Sequence, residues 1–314
     1  MDIADLKKLA EHTRNGREIG IALIFASCLL GLFLFIPLGQ KSSPAVTVTA
    51  TSTVPDAFAN IPLQAKAAIV YDLSTGKVLY AKNADAQLPL ASLTKLLTVY
   101  AALNELSPNT PIIVPADATE LDEPRAFSAG ETFALSDLAR LTLTASLNDG
   151  AAAIASATAT RENRSQSDML ANAASALGLS QTYAINGSGL DVNTSISGGY
   201  GSARDLARLA GALVQQAPTI ADATTQSSAE ATATDGTIIS VKNTDPMVTT
   251  IPRLLLSKTG YTDLAGGNLA LVFDSGIEHP IAIVVLGSSE KARFTDGMTL
   301  VAATLAHFAG VASL

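Results

Sequence analysis

Three short runs along the chain carry the groups of one acyl-transfer chemistry: Ser92-Leu-Thr-Lys95, Ser146-Leu-Asn148 and Lys258-Thr-Gly260. A serine hydroxyl becomes an effective nucleophile only when a neighbouring base takes its proton. The candidate bases here are lysines, which can serve near neutral pH if burial or a second cation lowers their pKa. Lys95 follows Ser92 by three residues, a spacing that puts both side chains on one face of a helix. Lys258 supplies the second cation. Ser92 opens a helix predicted over 93–103, where Leu93, Leu96, Leu97, Tyr100 and Leu103 recur at helical spacing. At such an N-terminus unpaired backbone N–H groups and the helix dipole favour developing negative charge.

Each run is short enough to recur by accident, and the chain contains decoys. Ser74-Thr-Gly-Lys77 and Ser288-Ser-Glu-Lys291 repeat the first spacing, and Ser107-Pro-Asn109 repeats the second. Ser74 falls in a turn between two alternating apolar runs, which reads as a β-hairpin over 66–83. Ser288 follows the apolar run 281–286, at a strand exit. Ser107-Pro108 is a turn by composition. Of the three S-x-x-K matches, only the one at Ser92 opens a helix.

Composition removes other chemistries. A net charge of −8 argues against nucleic-acid binding, which needs a basic face. The single cysteine, Cys28, excludes an internal disulfide framework and a cysteine-based metal cluster. The histidines are His12, His279 and His307, with no G-x-S-x-G elbow and no H-E-x-x-H spacing, so neither a histidine triad nor a zinc hydrolase is indicated. No metal or cofactor is expected. The acidic run Glu120, Asp122 and Glu123 reads as a solvated loop.

The elements that must position these residues follow from periodicity and turn chemistry. Residues 111–134 read mostly as loop, broken by Pro115 and Pro124. Helices are predicted over 135–146 and 151–157, flanking a turn at 146–150, then over 166–177, ended by Gly178, and over 202–215, capped by Ser202. The Ala- and Thr-rich stretch 219–250 reads as a weak strand pair around Asp235-Gly236. Three apolar runs, 253–258, 268–273 and 280–286, read as adjacent antiparallel strands, and 294–308 as a closing helix. Strands at both ends with helices between make an α+β domain whose sheet joins distant segments.

Residues 19–39 form a 21-residue stretch without charge. As a helix it would span roughly 31 Å, about the hydrocarbon thickness of a bilayer. Lys7, Lys8, Arg14 and Arg17 precede it, which predicts a cytoplasmic tail at 1–18, a signal-anchor at 19–39 and the remainder outside. A cleaved signal peptide ending at Val48-Thr-Ala50 is the competing reading. Residues 40–62 read as a linker, and 63–314 as the catalytic domain.

With the segments in this order the chain closely resembles the serine-type D-Ala-D-Ala carboxypeptidases, the low-molecular-weight penicillin-binding proteins, over about 63–312. Beyond the three motifs, the lead-in Ala67-Ala-Ile-Val-Tyr-Asp-Leu-Ser-Thr-Gly-Lys-Val-Leu-Tyr80, Ser202-Ala-Arg-Asp-Leu206, and Tyr261-Thr262 with Ala265-Gly266 carry the likeness. It implies the β-lactamase/transpeptidase-like fold: about five antiparallel strands backed by helices, a helical subdomain, and a cleft between them. It further implies that Ser92 attacks the carbonyl between two terminal D-alanines of a peptidoglycan stem peptide, with Lys95 as base. Ser146 and Lys258 would then carry a proton to the leaving D-alanine. By the same resemblance, Ser92 and Tyr261 N–H groups form the oxyanion hole and Asn148 holds the acyl part. Lys258 and Thr259 bind the terminal carboxylate, and Gly260 admits the substrate backbone. β-Lactams acylate the same serine. The setting is the outer face of a bacterial cytoplasmic membrane, the anchor tethering the domain.

Two departures stand out. The family often has Pro-His where this chain has Gly187-Ser188. The arginine commonly found on the strand after Lys-Thr-Gly is absent from Glu278-His279-Pro280. Three alternatives share the motifs. A class A β-lactamase needs a deacylating glutamate, which Glu162-Asn163 does not supply at the expected spacing. A transpeptidase or endopeptidase would differ in groove shape. A non-catalytic domain sensing cell wall or β-lactam would keep the site but not turn over.

Overall fold

The Asp72 carboxylate accepts the backbone N–H groups of Ser74 (2.9 Å) and Thr75 (3.0 Å), while Gly76 takes a left-handed φ of +71°. That turn folds β1 (Ala67–Asp72) onto β2 (Val78–Lys82) as the expected hairpin. The computed structural model describes residues 56–310 together with Ile21, Ile24 and Ser27, three helical and exposed positions. Residues 1–52 and 53–314 are separate compact units. The segment 19–39 otherwise lies outside the described residues, as do 1–18 and 40–55. Among the described residues no helix is long and apolar enough to cross a membrane.

After the hairpin come β3 (Leu88–Pro89), a 3-10 turn at Ala91–Leu93 and helix α1 (Thr94–Glu105). β4 (Pro111–Ile113) pairs with β5 (Thr132–Ala134) around a second 3-10 turn, Ala116–Glu120, so the stretch 111–134 is more ordered than its prolines suggested. The helical part continues with α2 (Leu135–Ala145), α3 (Asn148–Glu162) and α4 (Gln166–Ala176). Short strands β6 (Tyr183–Ala184) and β7 (Gly199–Gly201) precede α5 (Ala203–Gln216), whose cap Ser202 accepts the Asp205 N–H at 3.1 Å. α6 (Pro218–Ala223) was hidden by Ala/Thr composition, although Pro218 at its first turn is a start signal. The expected strand pair follows as β8 (Ser228–Thr232) and β9 (Ile238–Lys242). The chain closes with β10 (Leu254–Thr262), β11 (Gly266–Asp274), β12 (Pro280–Ser288) and α7 (Ala292–Ala309).

The main sheet runs β10-β11-β12-β1-β2, every neighbour antiparallel, as the α+β reading requires. Both faces are covered, so β11 and β12 are buried along nearly their whole length rather than on alternate residues. Ile69, Leu256, Val272, Val284 and Leu286 face the core shared with α1, α2 and α5. Val70, Leu271, Phe273, Ile283 and Val285 pack instead with Leu300, Val301 and Ala303 of α7.

One expected boundary shifts. Residues 56–62 do not behave as linker: Ala57 and Phe58 are buried, and Phe58 stacks with Tyr80 and meets His307. The buried Asp296 of α7 fixes this lead-in. Its carboxylate accepts N–H from Gln64 (3.1 Å) and Ala65 (2.9 Å) and the Ser288 hydroxyl (2.7 Å). Asp296→Ala strands those donors and is expected to lower unfolding free energy by roughly 2–4 kcal/mol, read by chemical denaturation. A loss below the scatter of the measurement would show that the lead-in is held by its apolar contacts alone.

Candidate active site

Ser92 sits in a turn forced by its neighbours. Ala91 takes φ +48°, unusual for a side chain with a Cβ, and Ser92 lies in the 3-10 turn immediately before α1 rather than at its first α-helical residue. Two glycines let other segments press on this turn. Gly189, at φ +78°, lies so close that an added Cβ would fall 2.0 Å from the Ala91 carbonyl oxygen. At Gly260 of β10 a Cβ would lie 3.0 Å from the Leu90 oxygen and 3.3 Å from the Ser92 nitrogen. Gly260 therefore admits the Ser92 backbone to the strand edge, a reason distinct from the expected approach of substrate.

Lys95 is fully buried, the second residue of α1. Its Nζ donates to Ser92 Oγ (2.7 Å), Asn148 Oδ1 (2.7 Å) and the Ser188 carbonyl (2.9 Å). Lys258 is equally buried, and its Nζ donates to Ser146 Oγ and the Thr259 carbonyl, each at 2.8 Å. Thus Ser92, Lys95 and Asn148 form one hydrogen-bonded group, and Ser146 with Lys258 a second. Thr259 hydroxyl shares a 2.6 Å hydrogen bond with Thr244, and Tyr261 stands at the rim, 46% exposed.

The second motif is placed by a helix end meeting a helix start. α2 ends on Ser146, in left-handed conformation at φ +61°, and α3 begins at Asn148, so the turn expected over 146–150 shrinks to Ser146-Leu147. Asn148 Nδ2 donates to the Asp122 carbonyl (2.9 Å), and its own N–H to the Pro124 carbonyl (2.8 Å). Asp149, beside it, is wholly buried and accepts N–H from Ala126, Phe127 and Gly150, each at 2.8 Å. It anchors the loop that orients Asn148, and its negative charge partly offsets the burial of Lys95.

Burial pushes the Lys95 pKa from 10.5 down to about 7, with Asp149 acting in the opposite direction. Lys258 is pushed well below its usual range, first by burial, then by the charges of Lys95 and Arg293. Two buried amines this close do not both hold their protons readily at neutral pH.

Sequence reasoning missed three contributors. The Ser188 carbonyl is a backbone group with no signature. Asp149 was visible only as the neighbour of Asn148. Arg293 comes from the first turn of α7, just beyond the strand that begins at Pro280, not from the Glu278-His279-Pro280 positions where an arginine was sought. Its guanidinium is buried, donates to the Gly260 carbonyl at 2.8 Å, and keeps Nε without a hydrogen-bond partner among the described residues. The decoys and histidines have other uses. Ser74 is in the hairpin turn, Ser288 binds Asp296, His279 Nε2 lies 3.0 Å from Asp72, and His307 packs on Phe58.

The buried lysine makes a stability prediction whose sign is fixed. The unfolded chain holds the Lys95 proton up to about 10.5, whereas the native state releases it near 7. Between those values the unfolded state binds more protons, so unfolding free energy rises with pH across that window. Lys95→Met should remove the Lys95 share of this rise and leave that of Lys258, measured by urea denaturation at stepped pH. An unchanged slope would mean that Lys95 keeps its ordinary pKa in the folded protein.

The comparisons agree with this geometry. The family model described as D-alanyl-D-alanine carboxypeptidase, peptidase S11, matches residues 50–290. A D-alanyl-D-alanine endopeptidase of Pseudomonas aeruginosa is 32% identical over 264 residues, covering 80% of this chain and 82% of the relative. Penicillin-binding protein D2 of Listeria monocytogenes, solved with ampicillin bound, superposes with a TM-score of 0.64 at 27% identity, covering 78% of this chain and 98% of that one. The D-alanyl-D-alanine carboxypeptidase of Mycobacterium tuberculosis gives 0.67 at 25% identity, with 82% and 99% covered. The chain is a serine peptidase with the penicillin-binding, transpeptidase-like fold, and it belongs to the S11 family of D-alanyl-D-alanine carboxypeptidases.

Proposed function

We propose that the chain removes the terminal D-alanine from peptidoglycan stem peptides through an acyl-enzyme on Ser92. The observation that carries this reading is the buried Lys95 amine, 2.7 Å from the Ser92 hydroxyl oxygen with a pKa brought to about 7. Neutral Lys95 takes the Ser92 proton as Oγ adds to the penultimate D-alanine carbonyl. Backbone N–H groups of Ser92 and Tyr261 receive the developing oxyanion, usually the largest single contribution in acyl transfer. The scissile C–N bond then breaks as the proton taken by Lys95 is passed on to the leaving amine through Lys258 and Ser146, which are already hydrogen-bonded, and Lys95 is neutral again. Water, deprotonated by Lys95, attacks the ester and restores the Ser92 hydroxyl. Asn148 holds the acyl amide. The guanidinium of Arg293 behind Gly260 gives the strand edge its positive charge, and Lys258 and Thr259 add hydrogen-bonding groups, together suited to the terminal carboxylate. Arg293 thereby stands in for the arginine absent from Glu278-His279-Pro280.

An endopeptidase cutting cross-links is the second reading, favoured by the Pseudomonas relative that carries that name. Release of D-alanine from a linear D-Ala-D-Ala peptide, against cleavage of a cross-linked peptide dimer, separates the two. The charge-free stretch 19–39, with basic residues before it, supports a single anchor holding the domain outside the cytoplasmic membrane.

Incubation with benzylpenicillin is expected to add one penicillin mass to the intact chain, stable for hours and absent from Ser92→Ala. Rapid loss of the adduct with penicillin consumed would instead identify a β-lactamase. No adduct at all would remove Ser92 as nucleophile. The acylation rate should rise with pH through about 7 as Lys95 loses its proton, then level. Lys95→Arg, which cannot deprotonate, should slow acylation by about a thousandfold. Stopped-flow acylation across pH reads both.

A further inference from the structure

β10 is the outermost strand of the main sheet, and it carries Thr259, whose hydroxyl is assigned above to the terminal carboxylate. That side chain is buried, and its oxygen has one hydrogen-bond partner among the described residues: the Thr244 hydroxyl, 2.6 Å away. Thr244 belongs to the loop between β9 and β10, is partly open to solvent, and falls in none of the three motifs.

Three anchors hold this loop hydroxyl in place. The Thr244 N–H donates to the Thr144 carbonyl of α2 at 3.2 Å. On one side of it, Asn243 Nδ2 donates to the carbonyls of Thr224 (2.7 Å) and Gln226 (2.8 Å), just past α6. On the other side, the buried Asp245 carboxylate accepts the Ser257 hydroxyl at 2.6 Å and the Met247 N–H at 2.8 Å. Ser257 lies two residues before Thr259 on β10, so loop and strand are tied together where the two threonine hydroxyls meet. A side chain supported in this way by its neighbours' hydrogen bonds is preorganised for one geometry.

The donor capacity of the pair sets what it can do. Each hydroxyl has a single hydrogen to give but can accept from a second group. With the site empty, either oxygen can donate to the other. A carboxylate only accepts, so when bound it receives the Thr259 hydrogen, and Thr244 must then donate to the Thr259 oxygen. The outcome is a row of two hydrogen bonds, Thr244 to Thr259 to carboxylate, in which each bond polarises the next. We infer that Thr244 is a positioning residue for the substrate's terminal carboxylate, turning the Thr259 hydrogen toward it and keeping the buried Thr259 oxygen satisfied. This role rests on the carboxylate reading of β10 and adds a residue that no motif contains.

Benzylpenicillin carries a carboxylate and its methyl ester does not. Acylation of Ser92 by the two compounds, followed by intact mass on the full-length protein, therefore isolates the carboxylate. Thr244→Val keeps the outline of the side chain and removes the hydroxyl. It is expected to slow acylation by benzylpenicillin about five- to tenfold, and by the methyl ester no more than about twofold. Thr244→Ser, which returns a hydroxyl, should recover the rate with benzylpenicillin. Equal slowing with both compounds overturns the role, because Thr244 would then act only through the fold. Unchanged acylation by benzylpenicillin in Thr244→Val overturns it as well. If the unaltered protein reacts equally with acid and ester, the carboxylate reading of β10 fails and takes Thr244 with it. Release of D-alanine from Nα,Nε-diacetyl-L-Lys-D-Ala-D-Ala is measured alongside. Its absence, with the contrast between acid and ester intact, removes the carboxypeptidase reading and leaves the role of Thr244 standing.

Discussion

Two lysine amines with almost no contact with water lie at the centre of this molecule, and much of the surrounding structure follows from accommodating them. A charged ammonium in such a place is costly, and the chain answers in two ways. It surrounds each Nζ with well-placed oxygen acceptors, and it lets the pKa fall. The acceptors come from four distant parts of the sequence: the Ser92 turn, the α2–α3 junction, the loop at Ser188 and β10. Each must arrive within hydrogen-bond distance at once. The positive φ at Ala91 and Ser146, and the glycines at 189 and 260, are local costs accepted so that these segments can converge.

The helical and sheet sides contribute differently. β10 is paired along its length with β11 and tied to α7 through the Arg293 hydrogen bond to the Gly260 carbonyl, so it presents Lys258 and Gly260 at fixed positions. The helical side reaches the site through loops, and those loops are tied by single buried polar groups. Asp149 holds the segment 124–127 that contacts Asn148. Asn186 knits its own loop, accepting from Ser188 Oγ (3.0 Å) and Gly189 N–H (2.8 Å).

How much of this was legible in the sequence varies with the physics behind each element. Strong periodicity marked α1 and α5, and continuous apolar runs marked β10, β11 and β12, although each strand extends a few residues beyond its apolar core. Ser92, Lys95, Ser146, Asn148 and Lys258 could be read because side-chain chemistry was expressed as motif spacing. Contributions made by backbone or by long-range convergence could not. The Ser188 carbonyl has no residue-type signal, and Arg293 acquires its place only when α7 packs on β11 and β12. The stretch 111–134 was misjudged because its order comes from the β4–β5 pairing and from Asp149, not from its own pattern. Phe58 was assigned to a linker because composition there resembles the polar segment before it, and only packing on Tyr80 and His307 reveals otherwise.

The three contacts of Lys95 carry one further consequence, a matter of valence. An ammonium has three protons and no lone pair, and here it faces three acceptors: Ser92 Oγ, Asn148 Oδ1 and the Ser188 oxygen. The neutral amine has two protons and one lone pair. Asn148 and Ser188 present only acceptors to it, whereas a serine hydroxyl can also donate. When the proton leaves Lys95, the surplus lone pair can therefore turn only toward Ser92. The charged and neutral forms of Lys95 then differ by the direction of one hydrogen bond, and the cage that stabilises the cation also fixes which hydroxyl the neutral amine can accept from.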